Sequence, residues 1–167
     1  GKYGFFDLHN DRETLREVQA LAKACAAEAH ENLVVLGIGG SALGLTTLVT
    51  ALKPPYYNLL DAKQRGGLPR VFVMDNVDPV TFDGMMKLCP PEKTLYVLIS
   101  KSGGTAETLS QALIVFEALE NAVGKSRVKR HAVAITGPVD SGKIKNPVHQ
   151  LRKTYGLRWL TVPKNVG

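Results

Sequence analysis

Cysteine is scarce in this sequence, and none of its apolar segments is long. The two cysteines, Cys25 and Cys89, form no CxxC pair, so we interpret them as reduced thiols of a cytosolic protein and not as a disulfide framework. Short apolar runs such as residues 71–74 cannot cross a bilayer. These features predict a cytoplasmic protein without a membrane partner.

The N-terminal segment lacks both a signal peptide and an initiator methionine. Residues 1–7 read GKYGFFD and contain no long apolar core. We therefore expect the chain to be part of a longer protein. Its 167 residues, of which 44% are hydrophobic and 22% charged, suit a single domain with a hydrophobic core.

The formal net charge of +6 means that a nucleic-acid partner has to be considered. The densest basic cluster contains Lys125, Arg127, Lys129 and Arg130, with no aromatic residues interleaved. Because no recognisable nucleic-acid reader motif accompanies it, the cluster is more typical of a solvated loop, and we expect no nucleic-acid partner. A mild excess of positive charge also suits an enzyme that attracts small anionic substrates.

Hydrophobic patterning predicts an α/β fold. Apolar residues follow one another without the apolar–polar alternation of a half-exposed strand, as in buried parallel strands, at positions 32–37, 70–74, 94–100, 131–136 and 157–162. Helical segments are predicted between them, at 41–52, 79–88, 105–122 and 141–155. This alternation is typical of a three-layer αβα domain, in which helices cover both faces of a five-stranded parallel sheet.

One further helix is predicted before the first strand. Either Asn10 or Asp11 can cap it, and Glu13 stands three residues after Asn10, as in a capping box. Its apolar face has three- and four-residue spacing and comprises Leu15, Val18, Leu21, Ala22, Cys25 and Ala29.

The most informative stretch is residues 98–108, LISKSGGTAET, where a buried strand ends in hydroxyls and glycines before a long helix. Such a turn gathers backbone N–H groups at a helix N-terminus, where the helix dipole favours a negative charge. Ser102 or Thr105 could simply cap the helix. A single cap does not need four hydroxyls, and we therefore favour a phosphate site that includes Ser100, Ser102, Thr105 and Thr108.

Ligands of parallel sheets bind beyond the carboxyl ends of the strands. The Gly-rich turn after the first strand, the Asp/Asn turn at residues 75–79 and the Ser/Thr loop after the third strand are all predicted to lie at that edge. Their convergence there predicts a binding site.

Residues 37–44, GIGGSALG, also fit the dinucleotide fingerprint G-x-G-x-x-A. That fingerprint calls for an acidic residue about 20 positions further on, and Asp75 lies nearly twice as far away. A nicotinamide cofactor is therefore a remote alternative. We expect close helix–strand packing to require Gly44, since a glycine inside a helix costs about 1 kcal/mol relative to alanine. Ser41 can cap the helix or reach a substrate oxygen.

The remaining candidate residues are one glutamate and the histidines. Glu107 suits the first helical turn through the helix dipole; if it has a functional role, it should point away from a bound phosphate. No two histidines have a metal-ligand spacing, and we expect no metal site. All four are interpreted as structural or surface residues: His9, His30, His131 and His149.

Four motifs, taken in order, resemble the glucose-6-phosphate isomerase family. They are GIGGSALG at 37–44, DNVDP at 75–79, SKSGGTAET at 100–108 and VPKNVG at 162–167. The resemblance implies a sugar-isomerase (SIS) domain with a flavodoxin-like sheet of strand order 2-1-3-4-5. It also implies that residues 1–167 form one such domain of a longer enzyme with two SIS domains.

The resemblance also implies a set of site residues and no cofactor. A sugar phosphate is expected to contact Gly39, Gly40, Ser41, Ser100, Lys101, Ser102, Gly103, Thr105 and Thr108, with Glu107 as a possible auxiliary group. At Gly104 the family usually has threonine, so one hydroxyl contact is missing here. The residues that the family uses as base and for ring opening have no counterpart in this chain, and none of its own residues is expected to be catalytic.

The predicted function is interconversion of glucose 6-phosphate and fructose 6-phosphate, as in glycolysis and gluconeogenesis. This chain is expected to supply the phosphate-binding half, to be inactive alone, and to need the C-terminal half as its partner, within an enzyme that forms a homodimer. The alternative from another class is a non-catalytic SIS module that senses sugar phosphates. The remote alternative is an NAD-dependent dehydrogenase.

Overall fold

The protein is built on a sheet of five parallel strands. A computed structural model of the chain describes residues 4–6, 8–139 and 146–166. The strands are β1 (Asn32–Leu36), β2 (Arg70–Met74), β3 (Thr94–Ser100), β4 (Ala132–Thr136) and β5 (Arg158–Thr161). Their spatial order is β2-β1-β3-β4-β5, and every neighbouring pair is parallel. The predicted fold class and strand order are confirmed.

Within the described ranges, six α-helices flank this sheet. They are α1 (Arg12–Ala26), α2 (Gly40–Leu52), α3 (Pro79–Leu88), α4 (Ala106–Val123), α5 (Val128–His131) and α6 (Pro147–Tyr155). The predicted helix at 141–155 corresponds to α6, and positions 141–145 lie outside the described residues. None of the described helices combines the length and the apolar character needed to span a membrane.

Helix starts follow the sequence signals closely. Asp11, and not Asn10, caps α1, because its carboxylate accepts hydrogen bonds from the Thr14 backbone N–H (3.0 Å) and the Thr14 hydroxyl (2.8 Å). The capping box with Glu13 is therefore not formed. Asp78 caps α3 through the Thr81 N–H at 2.7 Å, and Pro79 occupies the first helical position, where its missing N–H costs nothing.

The main core lies between the sheet and α4. Alternate residues of the central strands point to this face, since successive side chains of a strand point to opposite sides of a sheet. They form one buried cluster with α4 that includes Val34, Leu36, Tyr96, Leu98, Val115, Phe116 and Leu119. The C-terminal half of α4, which carries Val115, Phe116 and Leu119, is thereby held against the sheet.

The basic cluster of residues 125–130 is helical, which corrects the prediction of a loop. Lys125–Arg127 forms a 3₁₀ turn and α5 follows it directly. His131 ends α5, so β4 begins at Ala132 and not at His131 as predicted. Arg130 contacts Glu28, with its Nε 2.7 Å from the Glu28 carboxylate, so part of the positive charge is neutralised within the protein.

Two histidines meet at the amino-terminal edge of the sheet. The ring nitrogens His30 Nε2 and His131 Nδ1 lie 3.2 Å apart, and His131 Nδ1 is also 3.2 Å from the Thr94 carbonyl oxygen. Burial, followed by the charge of His131, lowers the pKa of His30 to about 4. No three histidine, cysteine, aspartate or glutamate side chains are grouped to hold a metal ion in the part of the chain that the structure describes.

Helix α1 covers the opposite face of the sheet incompletely. Its predicted apolar face is directed towards the sheet, but Leu15 and Val18 remain 45% and 41% exposed. A cavity of about 380 Å³ lies between helix and sheet, and Val18, Leu21, Leu95 and Val133 are among its lining residues. The amphipathic pattern therefore predicts the orientation of α1 correctly, although not the depth of its burial.

Candidate functional site

An open cavity of about 790 Å³ lies at the carboxyl edge of the sheet. The carboxyl ends of parallel strands meet at one edge, which brings the loops after β1, β3 and β4 together. Helices α2, α4 and α6 all begin there. The lining residues are Ser41, Lys101, Ser102, Thr105, Gly137, Pro138, Asn146 and Lys164.

The loop after β3, residues 100–105, folds back on the buried end of its own strand. The Ser100 hydroxyl lies 3.0 Å from that of Thr105 and accepts a hydrogen bond from the Gly103 N–H at 3.1 Å. The Ser100 carbonyl oxygen accepts a second bond from the same N–H at 3.1 Å. Ser100 is itself buried, so it shapes the loop, while Ser102 and Thr105 line the cavity. We call residues 100–105 the phosphate loop, after the phosphate site that the sequence predicts there.

Among the described residues, no side chain caps the N-terminus of α4. Thr105 occupies the N-cap position but makes no capping hydrogen bond, because its hydroxyl is engaged by Ser100. The Ser102 hydroxyl accepts from the Gly104 N–H at 3.2 Å and not from the helix. The alternative in which these residues merely cap α4 is therefore wrong.

Other helices of the chain are capped in the usual way. Asp11, Asp78 and Asn146 accept hydrogen bonds from N–H groups of α1, α3 and α6. For α4, none of the described residues supplies an acceptor to the first N–H groups of the helix, residues 106–108. Three donors and the positive end of the helix dipole are thus left beside the cavity.

The two glycines of the phosphate loop differ in their surroundings. Gly103 has a φ of +68°, and a Cβ atom there would lie 1.7 Å from the Asn146 Oδ1 atom. Gly104 has no such backbone constraint, and a Cβ atom there would meet nothing within 4 Å. Gly103 is therefore required by backbone conformation and packing, whereas the position of Gly104 has room for a larger side chain.

Lys101 connects the phosphate loop to two neighbouring segments. Its carbonyl oxygen accepts a hydrogen bond from the Gly137 N–H at 2.9 Å, and its Nζ atom donates to the Val166 carbonyl oxygen. A Cβ atom at Gly137 would lie 2.6 Å from the Lys101 carbonyl oxygen. The turn after β4 can approach the loop this closely only with glycine at that position.

The Gly-rich turn after β1 contributes one side chain to the cavity lining. Gly39 has a φ of +56° and precedes α2, whose N-terminus also lacks a side-chain cap. Ser41 lines the cavity, whereas Gly39 and Gly40 lie exposed beside it. The prediction that packing requires Gly44 is wrong, since a Cβ atom there would meet nothing within 4 Å.

Among the predicted site residues, Thr108 and Glu107 also lie outside the lining. Thr108 is fully buried, and its hydroxyl has no hydrogen-bond partner among the described residues. Glu107 is exposed in the first turn of α4. A ligand contact by the Thr108 side chain and an auxiliary role for Glu107 therefore stay predictions.

The turn after β2 lies at the same edge of the sheet, as predicted, because β2 is parallel to its neighbour β1, but none of its residues lines this cavity. Since β2 is an edge strand separated from β3 by β1, its turn reaches α4 at another place. There the Asn76 carbonyl oxygen accepts a hydrogen bond from Gln111 Nε2 at 2.6 Å. Of the three predicted turns, those after β1 and β3 contribute residues to the lining.

Four lining residues were not identified from the sequence: Gly137, Pro138, Asn146 and Lys164. The signal that could have found the first two is the Gly-Pro turn directly after β4, which neighbours β3 in the sheet. Lys101 and Lys164 carry charge into the lining, and no carboxylate is among the described residues there. Positive charge, hydroxyls and helix N–H groups together suit a small anion.

Comparison with known proteins identifies a family that this chain matches. The family model described as phosphoglucose isomerase matches residues 9–145. The glucose-6-phosphate isomerase of Carboxydothermus hydrogenoformans is 42% identical over 168 residues, which cover 100% of this chain and 34% of that protein. A Thermus thermophilus enzyme of the same name is 34% identical, covering 98% of this chain and 35% of that protein.

Solved structures show the same relationship. The crystal structure of a hypothetical protein from Thermus thermophilus has a TM-score of 0.79 and 34% identity, covering 99% of this chain and 35% of that one. A glucose-6-phosphate isomerase from Chlamydia trachomatis has a TM-score of 0.68 and 25% identity, covering 95% and 27%. The chain spans about a third of the length of the curated relatives it matches.

Proposed function

The chain belongs to the phosphoglucose isomerase family, and we propose that it binds the phosphate group of glucose 6-phosphate and fructose 6-phosphate as part of a longer isomerase. The observation that carries this proposal is the N-terminus of α4, whose first N–H groups have no acceptor among the described residues and lie beside the hydroxyls that line the cavity. The same proposal includes a C-terminal half of the enzyme as the partner of this chain, its assembly as a homodimer and its location in the cytoplasm.

The proposed task of this cavity is to hold the non-reacting end of the substrate. A phosphate dianion accepts hydrogen bonds from the helix N–H groups and from Ser102 and Thr105, and its charge is balanced by Lys101 and Lys164. Hydrogen bonds to a charged group contribute about 1.5–3 kcal/mol each. Binding of the phosphate fixes the sugar in one orientation, which lowers the entropic part of the barrier to proton transfer between C1 and C2.

Proton transfer between C1 and C2 needs a positioned base and stabilisation of the enediolate charge. The cavity lining offers hydroxyls, amides and lysines but no carboxylate or histidine among the described residues. We therefore propose that the base comes from the rest of the enzyme and that this chain alone does not isomerise its substrate. The strand order argues against the NAD-dependent alternative, because dinucleotide-binding sheets have the order 3-2-1-4-5-6.

A titration of the folded chain followed by NMR tests the proposal. Fructose 6-phosphate and inorganic phosphate should shift the amide resonances of residues 102–108, and fructose should not. Ser102→Ala should weaken phosphate binding about tenfold, the low end of a charged hydrogen bond, since Ser102 is exposed. Ser110→Ala is the matched control, because this exposed serine of α4 lies outside the cavity lining and donates to the Ala106 carbonyl oxygen of its own helix. Absence of shifts at millimolar phosphate, or equal affinities of the two variants, contradicts the proposal.

A further inference from the structure

We propose that Asn146 is a positioning residue that holds the phosphate loop in its binding conformation. The inference rests on the proposed phosphate site and adds a residue that no sequence motif indicated. Asn146 lies at the start of α6, on the far side of the cavity from α2, and lines the same cavity as the phosphate loop. Its side chain uses both ends of its amide, and each end serves a different part of the structure.

The oxygen end of the amide caps α6. Asn146 Oδ1 accepts hydrogen bonds from the N–H groups of Val148 at 3.0 Å and His149 at 3.4 Å. Pro147 has no N–H group, so these bonds satisfy the donors at the start of this helix. Serine and aspartate can perform this capping function equally well.

The nitrogen end of the amide is connected to the phosphate loop through Thr136. Asn146 Nδ2 donates to the Thr136 hydroxyl at 2.9 Å, and that hydroxyl donates to the Ser100 carbonyl oxygen at 2.6 Å. Thr136 is fully buried at the end of β4, and Ser100 is buried at the end of β3. The chain of bonds therefore fixes the orientation of the peptide group with which the phosphate loop begins.

The same side chain also packs against the middle of the loop. An atom added to Gly103 in the Cβ position would overlap Asn146 Oδ1, Cγ and Nδ2, at 1.7, 2.1 and 2.5 Å. The amide thus lies directly against the left-handed turn of the loop, at a position that only glycine leaves open. Asn146 consequently contacts the loop by packing at Gly103 and is connected to Ser100 by hydrogen bonds through Thr136.

An asparagine is needed at this position because the two connections have opposite polarity. The capping end must accept hydrogen bonds, and the end towards Thr136 must donate one. Serine retains a neutral cap but is too short to reach Thr136 from the same backbone position. Aspartate would place a second acceptor against Thr136 and a negative charge in the anion cavity. Asparagine alone among the good capping residues meets both requirements without adding charge.

The test uses Asn146→Ser, which keeps the cap and removes the connection. We expect inorganic phosphate to bind at least fivefold more weakly to this variant. Thr136→Val breaks the same connection at its other end and should weaken binding by a similar factor. In the double variant the two effects should not multiply, because both substitutions remove one pathway. Asp11→Ala is the control for loss of a helix cap elsewhere, and its phosphate affinity should equal that of the unmodified chain.

Two binding results overturn the inference while leaving the phosphate site in place. They are an Asn146→Ser affinity within twofold of the unmodified chain, and effects that multiply in the double variant. If the unmodified chain binds no phosphate, the proposed function fails, and Asn146 is then tested in the ligand-free chain. Amide hydrogen exchange at Gly103 should be faster in Asn146→Ser and unchanged in Asp11→Ala, and equal exchange rates in the two variants overturn the inference.

Discussion

Replacement of Gly103 by alanine should destabilise the chain far more than the same change at its neighbour Gly104. At Gly103 the backbone has a φ of +68°, and this left-handed conformation costs a residue with a Cβ atom about 1–2 kcal/mol. The new methyl group would also occupy the space of the Asn146 amide, 1.7 Å from its oxygen, so Asn146 must move away.

Movement of Asn146 adds two further losses. The cap of α6 contributes about 1 kcal/mol, and the hydrogen bond to Thr136 contributes about 1 kcal/mol. Alanine offsets about 0.5–1 kcal/mol by restricting the unfolded chain. The net loss in the free energy of unfolding is about 3 kcal/mol, which is roughly a hundredfold change in the unfolding equilibrium. At Gly104 only the offsetting effect operates, so Gly104→Ala should be neutral or slightly stabilising.

Urea denaturation of the two variants and the unmodified chain measures this difference. The single tryptophan, Trp159 in β5, supplies a fluorescence signal, and circular dichroism of the helices gives an independent probe of the same transition. A destabilisation of Gly103→Ala by less than about 1 kcal/mol, or an equal destabilisation of both variants, would show that the close approach of Asn146 to Gly103 does not constrain the loop.

Two further predictions concern ligand affinity and pH. Gly104→Thr should fold normally, since the position is open. Its added hydroxyl should tighten phosphate binding several-fold, about 1 kcal/mol, as measured by calorimetric titration. Unchanged affinity would mean that the site has no place for a further donor. The pKa of His30 is lowered to about 4 in the folded protein, whereas in the unfolded chain it is about 6.5. As the pH falls from 6.5 towards 4, the unfolded chain therefore binds a proton more readily than the folded protein, and the free energy of unfolding decreases. We expect the free energy of unfolding to fall by about 1–2 kcal/mol over that range, after allowance for solvent screening. This decrease should be absent in His30→Gln and retained in the control His9→Gln. An unaltered pH profile in His30→Gln would contradict this account.

The sequence predicted the fold because each element carries its own signal. Continuous apolar runs marked all five strands, Pro79 marked the first residue of α3, and alternation of strands with helices implied a parallel sheet. The sequence left the cap of α1 open and mispredicted residues 125–130 as a loop, because both depend on which groups meet in the folded chain. Whether Asn10 or Asp11 caps α1 depends on which carboxylate or amide faces Thr14, and the helicity of residues 125–131 depends on packing of Val128 against the core.

The candidate site also has features that the local sequence determines and features that depend on tertiary contacts. Local sequence by itself determined that a loop rich in hydroxyls and glycines joins β3 to α4, because strand, turn and helix signals act over a few residues. The tertiary structure decided which of these groups face the cavity: it paired Ser100 with Thr105, left the α4 N-terminus without a cap from any described side chain, and buried Thr108. It also brought Asn146 from more than forty positions away to lie against Gly103. Such contacts depend on the order of strands in the sheet, which places the loops after β3 and β4 side by side, and no pattern within either loop encodes that proximity.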